Sequence, residues 1–250
     1  MTRSRGTFSI VVVLILLVGV WQGYIWWKHI PPYVLPTPAR TFQEVRDNFW
    51  LLLRYAKVTA EGAALGLAVS VVLALVLGLI IHRWPLAQHV ILTWAVVVRT
   101  VPIVGIAPII TLITGRGFLT SVLCVVVITV FSLLLSVIQG FVAIPPEIAE
   151  LGALYATPFH RRVRITLLPA AMSGLLHGLR VTAPLAVLGA LLAEFLDGFK
   201  GIGRLMVVAQ ANQEVELLMA ACMTAVVLSL LSFALVEAAG AFADRRGYGG

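Results

Sequence analysis

Six stretches of this chain are long and apolar enough to cross a bilayer: residues 8–27, 58–81, 88–113, 118–143, 174–195 and 217–240. A spanning helix needs about 20 consecutive, mostly apolar residues. Hydrocarbon offers the backbone no hydrogen-bond partner, so a crossing segment closes its amide bonds internally, as a helix. The expected fold is therefore all-α, an integral membrane protein with about six transmembrane helices. Of the 250 residues, 60% are hydrophobic and 12% charged, about half the charge fraction of a soluble domain. No internal repeat or second domain is visible, and six spans leave no room for a soluble catalytic domain. Residues 1–250 read as a single transmembrane domain.

The first span follows Arg3 and Arg5, as the core of a secretory leader would. No small-x-small cleavage site comes after it. Trp21, Tyr24, Trp26 and Trp27 come instead, an aromatic belt that anchors a retained helix at the interface. The net charge is +7, from 18 basic and 11 acidic residues. The basic residues are scattered over loops and termini without interleaved aromatics, which favours lipid headgroups over nucleic acid as their partner. Cys124 and Cys222 lie in apolar runs and read as small hydrophobes.

Arg99, Thr100, Pro102 and Pro108 interrupt the third span. Proline removes a backbone bond, which membranes tolerate where protein or a water-filled cavity covers the freed groups. This helix is expected to be kinked and to be buried or to line a cavity. Residues Thr41 to Leu53 carry Phe42, Val45, Phe49 and Leu52 at spacings of three and four, the pattern of an interfacial amphipathic helix. The second span carries Gly62, Gly66 and Gly78 among alanines, a small-residue surface suited to close helix packing, a subunit interface included.

The stretch 145–169 is polar and lies between apolar spans. Glu147, Glu150, His160, Arg161, Arg162 and Arg164 place it outside the bilayer. Ile148, Leu151, Leu154 and Tyr155 recur at helical spacing, so it contains a short amphipathic helix offered to a partner. Six spans put both termini and this stretch on one side. Lys and Arg number eight on each side, so the positive-inside rule does not orient the chain.

Arg99, Arg180, Glu61, Glu194 and Glu237 lie in or at the ends of spans, where ionisable groups pair or face water. Arg180 is expected to snorkel to the interface. Glu194 is positioned to cap the following loop through Lys200 or Arg204, or to take part in gating. Arg99 is either substrate-facing or paired with an acid such as Glu61 or Glu194. His29, His82, His89, His160 and His177 show no metal-ligand spacing, and no phosphate-cradling glycine loop is present. The chain does not hydrolyse ATP by itself, and it carries no candidate catalytic or metal-binding residue.

At 145–169 the sequence resembles the permease subunits of bacterial ABC importers, the binding-protein-dependent type I class. The family carries a cytoplasmic Glu-Ala-Ala motif, a Gly six residues after the Glu, and a Leu-Pro further on. Here Glu150-Leu151-Gly152 takes the first place, Ala156 stands where the family has Gly, and Leu168-Pro169 supplies the last. Gly178-Leu179-Arg180, Ala193-Glu194, Gly201-Ile202-Gly203 and Arg99-Thr100-Val101-Pro102 are similar to further family elements. The Val34-Leu35-Pro36-Thr37-Pro38 element is similar to the Leu-Pro-Ser-Pro of the nitrate, sulfonate, taurine and bicarbonate branch.

The resemblance covers roughly 8–240 and implies a subunit of the bacterial inner membrane with both termini cytoplasmic. Its coupling residues would be Glu147, Glu150, Leu151, Gly152, Leu154, Tyr155, Ala156, Arg161 and Pro169. Its translocation path would include Arg99, Thr100, Pro102, Pro108 and Glu194. The chain would bind no cofactor; ATP and Mg would sit on two partner ATP-binding subunits. A second permease copy or a related permease, an extracytoplasmic substrate-binding protein and membrane lipid complete the partners. The substrate would be a small solute: a nitrate-, sulfonate- or taurine-like anion, or a pyrimidine or aromatic heterocycle. The rival readings are an autonomous secondary carrier, disfavoured by the lack of repeats, and a membrane-embedded enzyme, for which no catalytic constellation is found.

Overall fold

The computed structural model describes residues 2–155, 158–197 and 199–245, and every regular element among them is helical. In chain order these are α1 (Thr2–Lys28), α2 (Pro38–Asp47), α3 (Phe49–Arg83), α4 (Pro85–Thr100), α5 (Ile103–Thr114), α6 (Phe118–Val142), α7 (Pro146–Leu154), α8 (Phe159–Arg162), α9 (Leu168–Asp197), α10 (Ile202–Ala211) and α11 (Val215–Arg245). Among the described residues, four uninterrupted helical runs are long and apolar enough to cross a membrane: Phe49–Arg83, Phe118–Val142, Phe159–Leu196 and Val215–Phe242. α1 occupies the first expected span as one helix, and its main contact is with α2.

The third expected span, 88–113, is two helices, not one kinked helix. Val101 is extended, as the residue before a proline prefers, and Pro102 starts the next helix. At 16 and 12 residues, α4 and α5 measure about 24 and 18 Å, each short of the hydrocarbon thickness. Most of the described side chains of α4 are exposed in the protomer, so this half of the expected span is not buried within it.

The expected amphipathic helix at 41–53 is likewise divided, at Asn48. α2 begins where Thr37 accepts a bond from the Arg40 amide and Pro38 takes the first turn, where its missing N–H costs nothing. Phe42, Val45, Phe49 and Leu52 nevertheless share one apolar groove with Met223, Val227 and Leu231 of α11.

α9 is the centre of the packing, held against α3, α6, α10 and α11. Its approach to α6 is nearly backbone to backbone. A Cβ on Gly174 would strike the Ser136 carbonyl, and one on Gly140 the Ala170 carbonyl. α3 packs on α6 through Gly62, Gly66, Ser70, Ala74 and Gly78, all buried and four residues apart. A Cβ at Gly66 would lie 2.5 Å from Val125 Cβ, and the Thr129 hydroxyl donates to Ser70 Oγ at 2.7 Å. The small-residue stripe is therefore consumed inside the protomer and is not free for a subunit interface.

α10 lies inside a segment that the sequence marks only as a loop. Ile202, Leu205 and Ala209 recur at spacings of three and four and are buried, packing the helix back on α3, α9 and α11.

Candidate functional site

At one end of the bundle α6 gives way to Pro145-Pro146, and α7 begins with Pro146 at its first position. Glu147 and Glu150 fall in its N-terminal half, where negative charge opposes the helix dipole. The Tyr155 amide closes the last turn on the Leu151 carbonyl at 3.0 Å. Among the described residues, the nine-residue helix stands off the bundle and packs closely on none of the other helices. Its apolar residues are open: Leu154 is 79% and Tyr155 77% exposed, and Ile148 and Leu151 about half. Isolated helices this short are marginal in water.

Between α7 and the bundle lies a cleft of about 570 Å³, lined by Ile148, Leu151 and Tyr155 on one side and by His82, Arg161, Arg162 and Thr166 on others. Arg161 does not lie in a loop, as the extent 145–169 implied. Phe159–Leu196 forms one helical rod of 38 residues. A wide π turn, Val163–Leu167, joins α8 to α9, with the Leu168 amide donating to the Val163 carbonyl. Pro169 cannot donate to the ladder, and the wide turn just before it is where the rod absorbs that loss. Glu147, Glu150, Leu151, Gly152, Leu154 and Tyr155 stand on or directly after α7, Arg161 on the rod, and Pro169 at the head of α9. Ala156 lies outside the described residues.

The other expected site residues are elsewhere. Arg99 and Thr100 end α4, with the Thr100 hydroxyl donating to the Val97 carbonyl at 2.7 Å; the Arg99 side chain is outside the described set. Pro102 and Pro108 start and interrupt α5. Glu61 pairs with Lys57 at 3.7 Å, an exposed pair on one helix face.

Glu194 lies at the opposite end of α9 and is 1% exposed. One carboxylate oxygen accepts from the Thr59 hydroxyl at 2.9 Å and from the Gly203 amide at 3.0 Å. Thr59 in turn accepts from the Ile202 amide at 2.9 Å. Glu194 therefore caps the segment after α9, one of the two roles left open by the sequence, through the Gly203 amide and Thr59 and not through Lys200 or Arg204. Gly201 permits this arrangement: its φ is 148°, and a Cβ there would overlap the carboxylate. Enclosed in this way, Glu194 is placed inside the protomer, away from any open face.

Arg180 does not snorkel alone. Its Nε lies 2.8 Å from Glu237 of α11. Sequence reasoning flagged both residues without joining them, since the spacing of α9 and α11 around the short α10 sets the register.

The chain matches known proteins along most of its length. Residues 70–246 match the family described as the binding-protein-dependent transport system inner membrane component. A probable ABC transporter permease protein of Haemophilus influenzae is 27% identical over 89% of this chain and 93% of its own length. A formylaminopyrimidine transport permease protein of Halalkalibacterium halodurans is 27% identical over 81% of each chain. A riboflavin transport system permease protein of Chloroflexus aurantiacus is 27% identical over 90% of this chain and 84% of its own.

Proposed function

We propose that this chain, which belongs to the binding-protein-dependent transport system inner membrane component family, forms the membrane path of an ATP-driven importer and docks its ATPase through α7. It is a multi-pass permease of the inner membrane. The observation that carries the docking role is α7 itself: a nine-residue helix whose apolar residues are exposed and which, among the described residues, packs closely on no other helix. An amphipathic helix laid in a groove is a general recognition mode. The sequence has no phosphate-cradling loop of its own, so the groove belongs to an ATP-binding subunit. Two such subunits, a second permease copy or a related permease, and an external substrate-binding protein complete the assembly. On this reading α7 and both termini face the cytoplasm.

The substrate is a small solute handed over by the binding protein. The relatives named for formylaminopyrimidine and riboflavin transport support a pyrimidine or aromatic heterocycle. A relative named for aliphatic sulfonates, 23% identical, keeps a small anion in view. The break between α4 and α5, with Arg99 and Thr100 on one side and Pro102 and Pro108 on the other, lines part of the path. The test is co-expression with a cognate ATP-binding subunit and purification through a tag on the permease. Stoichiometric recovery of the ATPase supports the reading, and a permease that transports while purifying alone overturns it.

A further inference from the structure

The cleft between α7 and the bundle has basic side chains on its rim and no carboxylate among its lining residues. Arg161, Arg162 and His82 line it, and neither Glu147 nor Glu150 does. Among the described residues, Arg161 and Arg162 form no ion pair. The remaining walls are mostly apolar, with Phe141 and Ile144 at the end of α6 and Ile165 on the rod. α7 turns Ile148, Leu151 and Tyr155 into the cleft, at spacings of three and four. Glu147, Glu150 and Leu154 repeat the same spacings on the adjoining face and stay outside it. The outer face is the one a soluble ATPase meets first, which leaves the inner face of α7 uncovered.

The cleft opens at the level where two spans end. His82 is next to the last residue of the Phe49–Arg83 span, and Phe141 next to the last of Phe118–Val142. Just beyond stands Trp84, exposed, with the Arg83 guanidinium 5.8 Å from its ring and 5.8 Å from the ring of Phe159 on the rod. An exposed tryptophan at a span end marks the headgroup layer. Phospholipid headgroups therefore reach the cleft without leaving their leaflet. Its volume of about 570 Å³ is that of a small-molecule site. Arginine suits phosphate, because its planar fork donates to two oxygens at once. A basic rim over an apolar floor matches an amphiphile with an anionic head.

We propose that this cleft holds an anionic phospholipid, its phosphate on Arg161 and Arg162 and its chains starting against Phe141, Ile144 and Ile165, and that the lipid braces α7 for the ATPase. The lipid fills the gap that α7 leaves by packing closely on no other described helix. It covers Ile148 and Leu151 from within, while Glu150 and Leu154 stay free on the outer face. The bracing rests on the transport reading above; the lipid site stands on the geometry of the cleft alone. Coupling then depends on the charge of the surrounding leaflet, because a neutral headgroup leaves both guanidinium groups without an anion.

The test uses the full chain, co-purified with its ATPase from membranes containing phosphatidylglycerol, with retained lipid read by native mass spectrometry. Phosphatidylglycerol is expected to stay on the wild type and on Arg164→Gln, whose side chain is exposed on the same rod outside the cleft. It is expected to be lost from the double variant Arg161→Gln, Arg162→Gln. A photo-crosslinking amino acid in place of Ile165 should capture lipid. In nanodiscs of phosphatidylcholine, added phosphatidylglycerol should raise substrate-stimulated ATP hydrolysis by the wild type and Arg164→Gln, but not by the double variant. Equal retention by all three proteins would mean a diffuse basic belt and overturn the proposal, as would a wild type that retains none. Capture of the ATPase at Ile165 would mean that a protein segment fills the cleft, and would overturn it equally. Hydrolysis indifferent to phosphatidylglycerol would refute the bracing. The same spectra count the ATPase, so lipid lost with the ATPase present leaves the function reading standing. Absence of the ATPase would strike that reading and leave the lipid count to decide this one.

Discussion

Truncating the open face of α7 separates docking from folding. Burying a leucine side chain contributes about 1.5–3 kcal/mol. Leu154 is 79% exposed and Tyr155 77%, so nearly all of that gain is realised only when a partner covers them. Leu154→Ala keeps one methyl group and should therefore cost about 1–2 kcal/mol of docking energy. Adding Tyr155→Ala should bring the loss to about 3 kcal/mol, roughly 100-fold in affinity at 1.4 kcal/mol per tenfold. The isolated permease should barely notice, because surface substitutions usually stay within about 0.5 kcal/mol. The assay titrates the purified ATPase into permease held in lipid nanodiscs and follows substrate-stimulated ATP hydrolysis, with the thermal midpoint of the permease alone as control. Glu150→Lys with Leu154→Lys should abolish stimulation outright. Wild-type affinity and coupling in these variants would refute the docking role. A large fall in the midpoint would show instead that α7 is held by its own chain.

Other outcomes follow from the geometry. Thr59→Val should leave the Ile202 amide without its partner and Glu194 with the Gly203 amide alone, at about 1–3 kcal/mol for a buried group left unsatisfied, and lower the thermal midpoint; Thr59→Ser should restore it. Gly201→Ala should sharply lower the yield of folded protein, since its φ of 148° and the overlap with Glu194 both oppose a side chain. Cysteines at Thr37 and His160, in a background lacking Cys124 and Cys222, should label with an impermeant reagent from opposite sides, Thr37→Cys from outside; labelling of His160→Cys in intact cells would reverse the orientation. Arg99→Gln should preserve assembly and basal ATP hydrolysis while reducing uptake of an anionic substrate; wild-type uptake would remove Arg99 from the path.

Most of the spans were legible because hydropathy needs no partner: an apolar run of the right length closes its backbone bonds within itself. The α7 face was legible for a similar reason, since its period is local. What escaped the sequence depends on contacts between distant segments. Pro102 signalled a bend, but whether the chain bends or breaks depends on whether Val101 stays helical. α10 is short and starts among glycines, Gly201 and Gly203, and its buried residues show as a pattern only beside α9. The glycines of α3 announced close packing without saying that α6 would fill it. Glu194 was read as a cap with cationic partners, because charge is visible in a sequence and the amides of Ile202 and Gly203 are not. Pro145 and Pro169 looked like the limits of a loop, whereas the π turn at Val163–Leu167 carries a helix through the second of them.

The central claim is that this chain moves solute only when an ATPase drives it from the α7 side. The direct measurement is uptake into proteoliposomes holding the permease and its ATP-binding subunits, with binding protein and labelled substrate outside and ATP trapped inside. Uptake should require both internal ATP and binding protein, and should disappear when Glu150 and Leu154 are replaced by lysine. Uptake by the permease alone, driven by an ion gradient and indifferent to ATP, would contradict the account.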